Sequence, residues 1–214
     1  MPFGEENWNR LLPSYLTEAN KGRLKLALDQ FKPRNRNEIS YDQFYKQFDH
    51  NYFLQGDLVI EVRTSDWDSK EHVYNKVYTN AIILSNTCDL SFENKRELNP
   101  KQCLFAPLID LDDFIQDLVE AGFTQEQAQE FKKTVKAQVH SNIFYLPALT
   151  GKAREQIALL DHIFWYPIEE LKLLIETISE DRLASLDHFG YYLFILKLSY
   201  HLCRLPEQCD REIA

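Results

Sequence analysis

The densest run of chemically capable side chains is Ser85-Asn86-Thr87-Cys88-Asp89, directly behind the apolar run Ala81-Ile82-Ile83-Leu84. A strand ending there delivers these side chains to the rim of a sheet. One reading makes Cys88 a nucleophile or Asp89 an acid/base group, with Asn86 donating a hydrogen bond and Ser85 and Thr87 adding polar contacts. A thiolate at Cys88 then needs a positive neighbour to lower its pKa, and Arg63, His72 and His162 are the candidates. The other reading is a tight turn, in which Asn, Thr and Asp bond their own backbone and Cys packs as a small apolar residue. Spacing alone assigns Cys88 no partner, so both readings stand.

Other constellations are weaker. His201 and Cys203, with Cys209 beyond, form a partial ligand set without a Cys-x-x-Cys pair. On a helix, positions two apart point about 200° from each other. No metal and no cofactor are expected. Asp110, Asp112 and Asp113 follow an apolar run and can hold Mg²⁺ together with Asp89. They equally suit the first turn of a helix, whose dipole favours acids, and helix capping is the expectation. His162 reads as a strand residue bonding a neighbour. The chain's six glycines supply no phosphate loop, no nucleophile elbow and no His-Glu-x-x-His.

Charge narrows the partners. The formal net charge of −9 over 214 residues argues against a basic coat for non-specific nucleic-acid binding. The first 56 residues carry eight Lys/Arg and seven Asp/Glu, so the acidity lies in the remainder. Between residues 21 and 36, Lys21, Arg23, Lys25, Lys32, Arg34 and Arg36 face only Asp29. Such a segment can contact phosphates or an acidic partner, or can be a solvated helix surface. Four cysteines and a start at Met1-Pro2-Phe3 with Glu5 and Glu6 close by predict free thiols in a reducing cytoplasm, with no leader. The apolar stretch Leu186 to Leu205 contains Asp187, His188, Lys197, His201 and Arg204, each costly in lipid, and reads as a helix buried on most sides.

These residues need a scaffold. Leu24, Ala27, Leu28 and Phe31 recur at helical spacing after Thr17, a candidate N-cap, and Lys32-Pro33 ends the run. Ser40 with Gln43 predicts a second short helix with the stripe Tyr41, Phe44, Tyr45 and Phe48. At Gly56 the period changes: Leu58, Ile60 and Val62 alternate with Val59, Glu61 and Arg63 as in a half-exposed strand. A polar loop over 64–71, a strand over 72–84 and a third over 102–109 follow. Strands are also predicted over 143–146 and 157–166. Between the third and fourth, Leu111, Phe114, Ile115 and Leu118 mark one helix, Gly122 its stop and Thr124 the next cap. Pro167 leads into a helix over 168–178, and Asp187 caps the last helix. The organisation is an N-terminal helical extension over 1–52 and a β-domain over 53–214, with a helical insertion at about 111–140 and a C-terminal helix at about 187–204. The class is α+β, a small antiparallel barrel or half-barrel with helices at both ends.

The middle of the chain resembles the PemK/MazF-like toxins. The pieces that carry this are Gly56-Asp57-Leu58-Val59, Ala81-Ile82-Ile83-Leu84-Ser85-Asn86, Phe105-Ala106-Pro107-Leu108, Leu159-Leu160-Asp161-His162-Ile163 and the Arg182-Leu183 step before a terminal helix. The resemblance implies an SH3-like β-barrel in a bacterial toxin–antitoxin or defence setting. The family's endoribonucleases place an Arg-Pro pair just before the second strand's apolar run, where this chain has Thr79 and Asn80. They place a catalytic threonine after the third strand's proline, where it has Leu108, Ile109 and Asp110. The expectation is therefore a non-catalytic binding or regulatory module, partnered by another protein or a second copy, with nucleic acid reachable through the basic 21–36 segment and no membrane segment. The alternative is a hydrolase or nuclease acting through Ser85, Asn86, Cys88 and Asp89.

Overall fold

A computed structural model describes residues 17–29, 39, 41–46, 52–90, 101–171 and 182–203. The chain is α+β. Its elements run α1 (Glu18–Asp29), β1 (Tyr45–Lys46), β2 (Leu58–Asp68), β3 (Val73–Ile83), α2 (Thr87–Leu90), β4 (Gln102–Asp110), α3 (Leu111–Glu120), α4 (Gln125–Lys136), β5 (Ile143–Leu146), β6 (Gln156–Leu159), β7 (Phe164–Pro167), β8 (Arg182–Leu186) and α5 (His188–Cys203). Residues 168–171 are also helical. All described strand pairs are antiparallel, and the order β1-β8-β2-β3-β4-β6-β5, with β7 also on β4, is an open path. The expected ring is therefore not closed by the described strands.

Beta-4 is the hub. It pairs with β3 through Phe105, Ala106 and Pro107, with β7 through Gln102 to Phe105, and with β6 through Leu108 to Asp110. The single strand expected over 157–166 is in fact β6 and β7, both on the same side of β4. A turn at residues 160–162, where the N–H of His162 donates to the carbonyl of Leu159 (3.2 Å), separates them. His162 thus sits in an exposed turn and not in a strand.

Beta-2 departs from simple alternation for a local reason. Its register against β3 shifts between Val59 and Val62, and Glu61 adopts a positive φ of 53°. This bulge moves Val62 to the face of Val59, whereas Leu58 stays on the other. The strand then continues to Asp68, through the stretch expected to be a loop, and turns over 69–72 into β3.

The sheet is covered on both faces. On one, Phe189, Leu193, Phe194 and Leu198 of α5 pack on Leu58, Ile82, Ala106, Leu108, Phe144 and Ala158. On the other, Val59, Val62, Ile83, Cys103, Phe105 and Tyr166 close around Phe53, Leu90 and Leu171. The helical hairpin α3–α4 covers β5 and β6 through Leu111, Ile115, Ala128 and Val135. Its caps form as the sequence implies: Thr124 and Gln127 make a capping box, and Gly122 carries φ 104° at the stop.

Two expectations at the termini need correction. Residues 41–46 are not a helix: Gln43 has a positive φ of 56°, and Tyr45–Lys46 is strand β1, paired with Leu186 and Ser185 of β8. A left-handed residue interrupts helical hydrogen bonding, so the aromatic spacing there serves core packing instead. Beta-8 itself was not anticipated. Phe44 (2% exposed) meets Phe144 and Phe189 at ring-centroid separations of 6.2 Å each, so this segment shares the main core with α5. Asp187 caps α5 by accepting from Gly190 N–H (2.8 Å). Gly190 itself lies so close to the chain of β1 that a Cβ there would stand 2.7 Å from the carbonyl of Phe44.

Candidate functional site

The five residues at the end of β3 form a structural turn. Ser85 Oγ accepts from Leu104 N–H (2.9 Å), Asn86 Oδ1 accepts from Cys88 N–H (2.9 Å), and Thr87 Oγ1 accepts from Gln55 N–H (3.0 Å). Gln55 in turn donates to the Leu84 carbonyl (2.7 Å) and accepts from Tyr191 hydroxyl (3.1 Å), tying this corner to α5. Cys88 is exposed and Asp89 half-buried, both on the one-turn helix α2. The cations proposed for Cys88 lie elsewhere. His72 is at the far tip of β3, which at ~3.3 Å per residue puts it about 35 Å away. Arg63 pairs in register with Tyr78 and binds Glu170, roughly 20 Å along the strand from the corner. His162 is separated from β3 by the width of β4. The other described free thiol, Cys103, is buried, donates to the Tyr166 carbonyl (3.3 Å), and is pushed up to about 12 by burial.

The acidic trio is a helix cap with cations around it. Asp110 Oδ1 accepts from the N–H groups of Asp112 (3.0 Å) and Asp113 (3.4 Å), and its Oδ2 lies 2.9 Å from Arg154 Nε. Lys132 binds Asp112 and holds its carboxyl below the usual range. Among the described residues no group of three or more His, Cys, Asp or Glu is placed to hold a metal ion. No helix there is long and apolar enough to cross a membrane. Lys21 pairs with Glu18 (2.7 Å), and Arg23 donates to the Asp42 carbonyl with its guanidinium 4.3 Å from the Phe189 ring centroid. Arg23 therefore clamps α1 to α5. Arg34 and Arg36 lie outside the described residues, as do Lys32 and Cys209.

Two arrangements emerge that spacing did not announce. The first is a carboxylate under α4. Glu155 Oε1 accepts from both Tyr145 hydroxyl (2.5 Å) and Lys136 Nζ (2.5 Å). Burial alone would raise the Glu155 pKa, but Lys136 and Tyr145 outweigh it and hold the carboxyl low. Burial, together with Glu155, pushes the Tyr145 phenol up. A groove of about 560 Å³ runs alongside, lined by Ile39, Tyr41, Thr134, Ala137 and Val139 with Lys133 and Lys136. Glu155 itself is neutralised by Lys136, so its network with Tyr145 ties α4 to β5.

The second is the β2–β3 arm. Past Thr79, β3 has no described strand on its outer side, because β4 reaches it only at Ala81 to Ile83. Both arm strands are therefore largely solvent-exposed. Residues opposite each other in an antiparallel pair share a face. Arg63 opposes Tyr78 and Ser65 opposes Lys76, with Tyr74 two residues further along. One face thus presents Arg63, Lys76, Tyr74 (73% exposed) and Tyr78 (60% exposed), and the ammonium of Lys76 lies 5.0 Å from the Tyr78 ring centroid. Asp66 and Asp68, opposite Asn75 and Val73, occupy the other face. The alternation was legible over 73–78, but the polar letters of 64–71 concealed that β2 continues. Comparison with protein families, curated proteins and solved structures finds no match for this chain.

Proposed function

We propose that the protein is a non-catalytic binding module on a toxin-like antiparallel scaffold, an opened SH3-like half-barrel of the PemK/MazF-like kind, and that its docking element is the β2–β3 arm. The order of β2 after Gly56, β3 with its apolar end, β4 with Pro107 and a closing helix supports the scaffold reading. That resemblance carries with it a bacterial toxin–antitoxin or defence setting. One observation carries the binding function: the arm face that combines two exposed tyrosines with Lys76 and with Arg63, which is ion-paired to Glu170, while Asp66 and Asp68 of β2 take the opposite face.

Such a face suits single-stranded nucleic acid. Exposed rings stack on bases of any sequence, and the neighbouring ammonium of Lys76 meets a phosphate. In a duplex the base faces are already covered by their neighbours. The hydrolase alternative fares worse, because Ser85, Asn86 and Thr87 hold backbone N–H groups and the nominated cations are far from Cys88.

Fluorescence anisotropy with labelled oligo-uridine and oligo-thymidine at low salt tests the reading. Wild type is expected to bind, and Tyr74→Ala and Tyr78→Ala are each expected to bind about tenfold more weakly, the loss typical of one stacked base. Absence of wild-type binding, or equal affinity in both variants, overturns it. In the same samples Cys88→Ala and Asp89→Ala are expected to leave the oligonucleotides and the affinity unchanged. Cleavage lost in either variant would restore the enzyme reading.

A further inference from the structure

We infer that the outer edge of β3 pairs with the same edge of a second copy of this chain, about a two-fold axis at Asn75. The edge is a different surface from the tyrosine face, and the inference does not depend on what that face binds. Beta-3 extends eight residues, Val73 to Asn80, beyond its pairing with β4, and on this outer side no described strand accompanies it. The segment Val73-Tyr74-Asn75-Lys76-Val77-Tyr78 is β-branched and aromatic, without proline, and its register against β2 is unbroken from Val73 to Thr79. Natural sheets blunt exposed edges with short strands, prolines, bulges or charges. This edge has one lysine, whose ammonium lies over the Tyr78 ring.

Self-complementarity selects the occupant. An antiparallel pair with two-fold symmetry has its axis perpendicular to the sheet, so only residues of the same face oppose each other. With Asn75 on the axis, Asn75 faces Asn75, Tyr74 faces Lys76 and Val73 faces Val77, residue 72 already lying in the turn. These are amide–amide, cation–ring and β-branched pairs, each of a favourable kind. Moving the axis to Lys76 sets two ammonium groups opposite each other. Moving it to Tyr74 shortens the ladder to Val73–Asn75, because β3 begins at Val73. The Asn75 register avoids both. The product is a four-stranded antiparallel sheet. A lone two-stranded ribbon is marginal in water, and pairing gives the exposed part of these eleven-residue strands a second hydrogen-bonded neighbour.

Sedimentation velocity and light scattering over a hundredfold range of concentration test this. Wild type is expected at twice 25.3 kDa at the upper end. Val73→Lys/Val77→Lys places lysines opposite lysines and is expected to weaken the dimer at least tenfold. Val73→Glu/Val77→Glu does the same with acids, and an equimolar mixture of the two variants is expected to restore the dimer. Neither valine belongs to a core cluster, so thermal unfolding serves as the folding control. A wild type that stays monomeric overturns the inference. So does a lysine variant that still dimerises, or a mixture of folded variants that fails to associate.

Discussion

Arg182→Met is expected to lower the free energy of unfolding by about 3–5 kcal/mol, the cost of leaving a buried charge without its counter-ion. This is a large share of the 5–15 kcal/mol that holds a typical domain folded. Arg182 and Asp57 have side chains 8% and 1% exposed, with Nε 3.0 Å from Oδ2, although the N–H is not aimed along that line. Asp57 also accepts from Leu54 N–H (2.9 Å), and Arg182 donates to the Tyr52 carbonyl. The pair therefore fixes the turn entering β2 against the start of β8. Urea denaturation measures the loss as a lower midpoint at constant slope. Adding Asp57→Asn to Arg182→Met removes the orphaned carboxylate while retaining the acceptor for Leu54, and should recover part of the loss. A double variant as unstable as the single one would show that packing, and not the stranded charge, sets the cost.

The second large effect is a dependence of stability on pH. Lys197 is fully buried on α5, donates to the Gln138 carbonyl (2.7 Å), and is pushed down to about 7 by burial. His140 is a titratable neighbour, its own pKa lowered by burial and then by Lys197. An unfolded lysine titrates near 10.4. Between about pH 7 and 10 the unfolded chain thus binds a proton that the folded chain does not, and stability rises with pH across that window. The slope approaches ~1.4 kcal/mol per pH unit once the folded lysine is neutral. Buried tyrosines and Cys103, with raised values, act oppositely as their unfolded counterparts ionise. The clean measurement is therefore the difference between wild type and Lys197→Met. That difference should move by about 2 kcal/mol between pH 7 and 9, the wild type gaining. Parallel curves would place the Lys197 pKa near its ordinary value.

Much of the scaffold could be read from residue order. The capping box at Thr124, the stop at Gly122, the cap at Asp187 and the extents of β3, β4 and β5 all follow from local chemistry. What escaped was non-local. The bulge at Glu61 re-aims Val62, a change that alternation cannot register. Beta-1 is two residues long and exists only because β8 lies beside it. Lys197 was legible in principle: it follows Leu193 by four positions and Phe194 by three, which places it on the buried stripe of α5. The strand-end group read both ways because Ser, Asn, Thr, Cys and Asp serve turns and active sites alike, and the backbone partners of Ser85, Asn86 and Thr87 could not be seen from spacing.

The pairing of Tyr45 with Leu186 also bears on how the chain is made. These residues stand roughly 140 positions apart. At ~5–20 residues per second of synthesis, Phe44 and Tyr45 leave the ribosome roughly 10–30 s before β8 and α5 exist to cover them. Until then these rings lack the cover that β8 and α5 supply. A chain cut short before residue 182 therefore keeps the Phe44–Phe144 contact but loses Phe189 of α5 and the β8 partner of Tyr45.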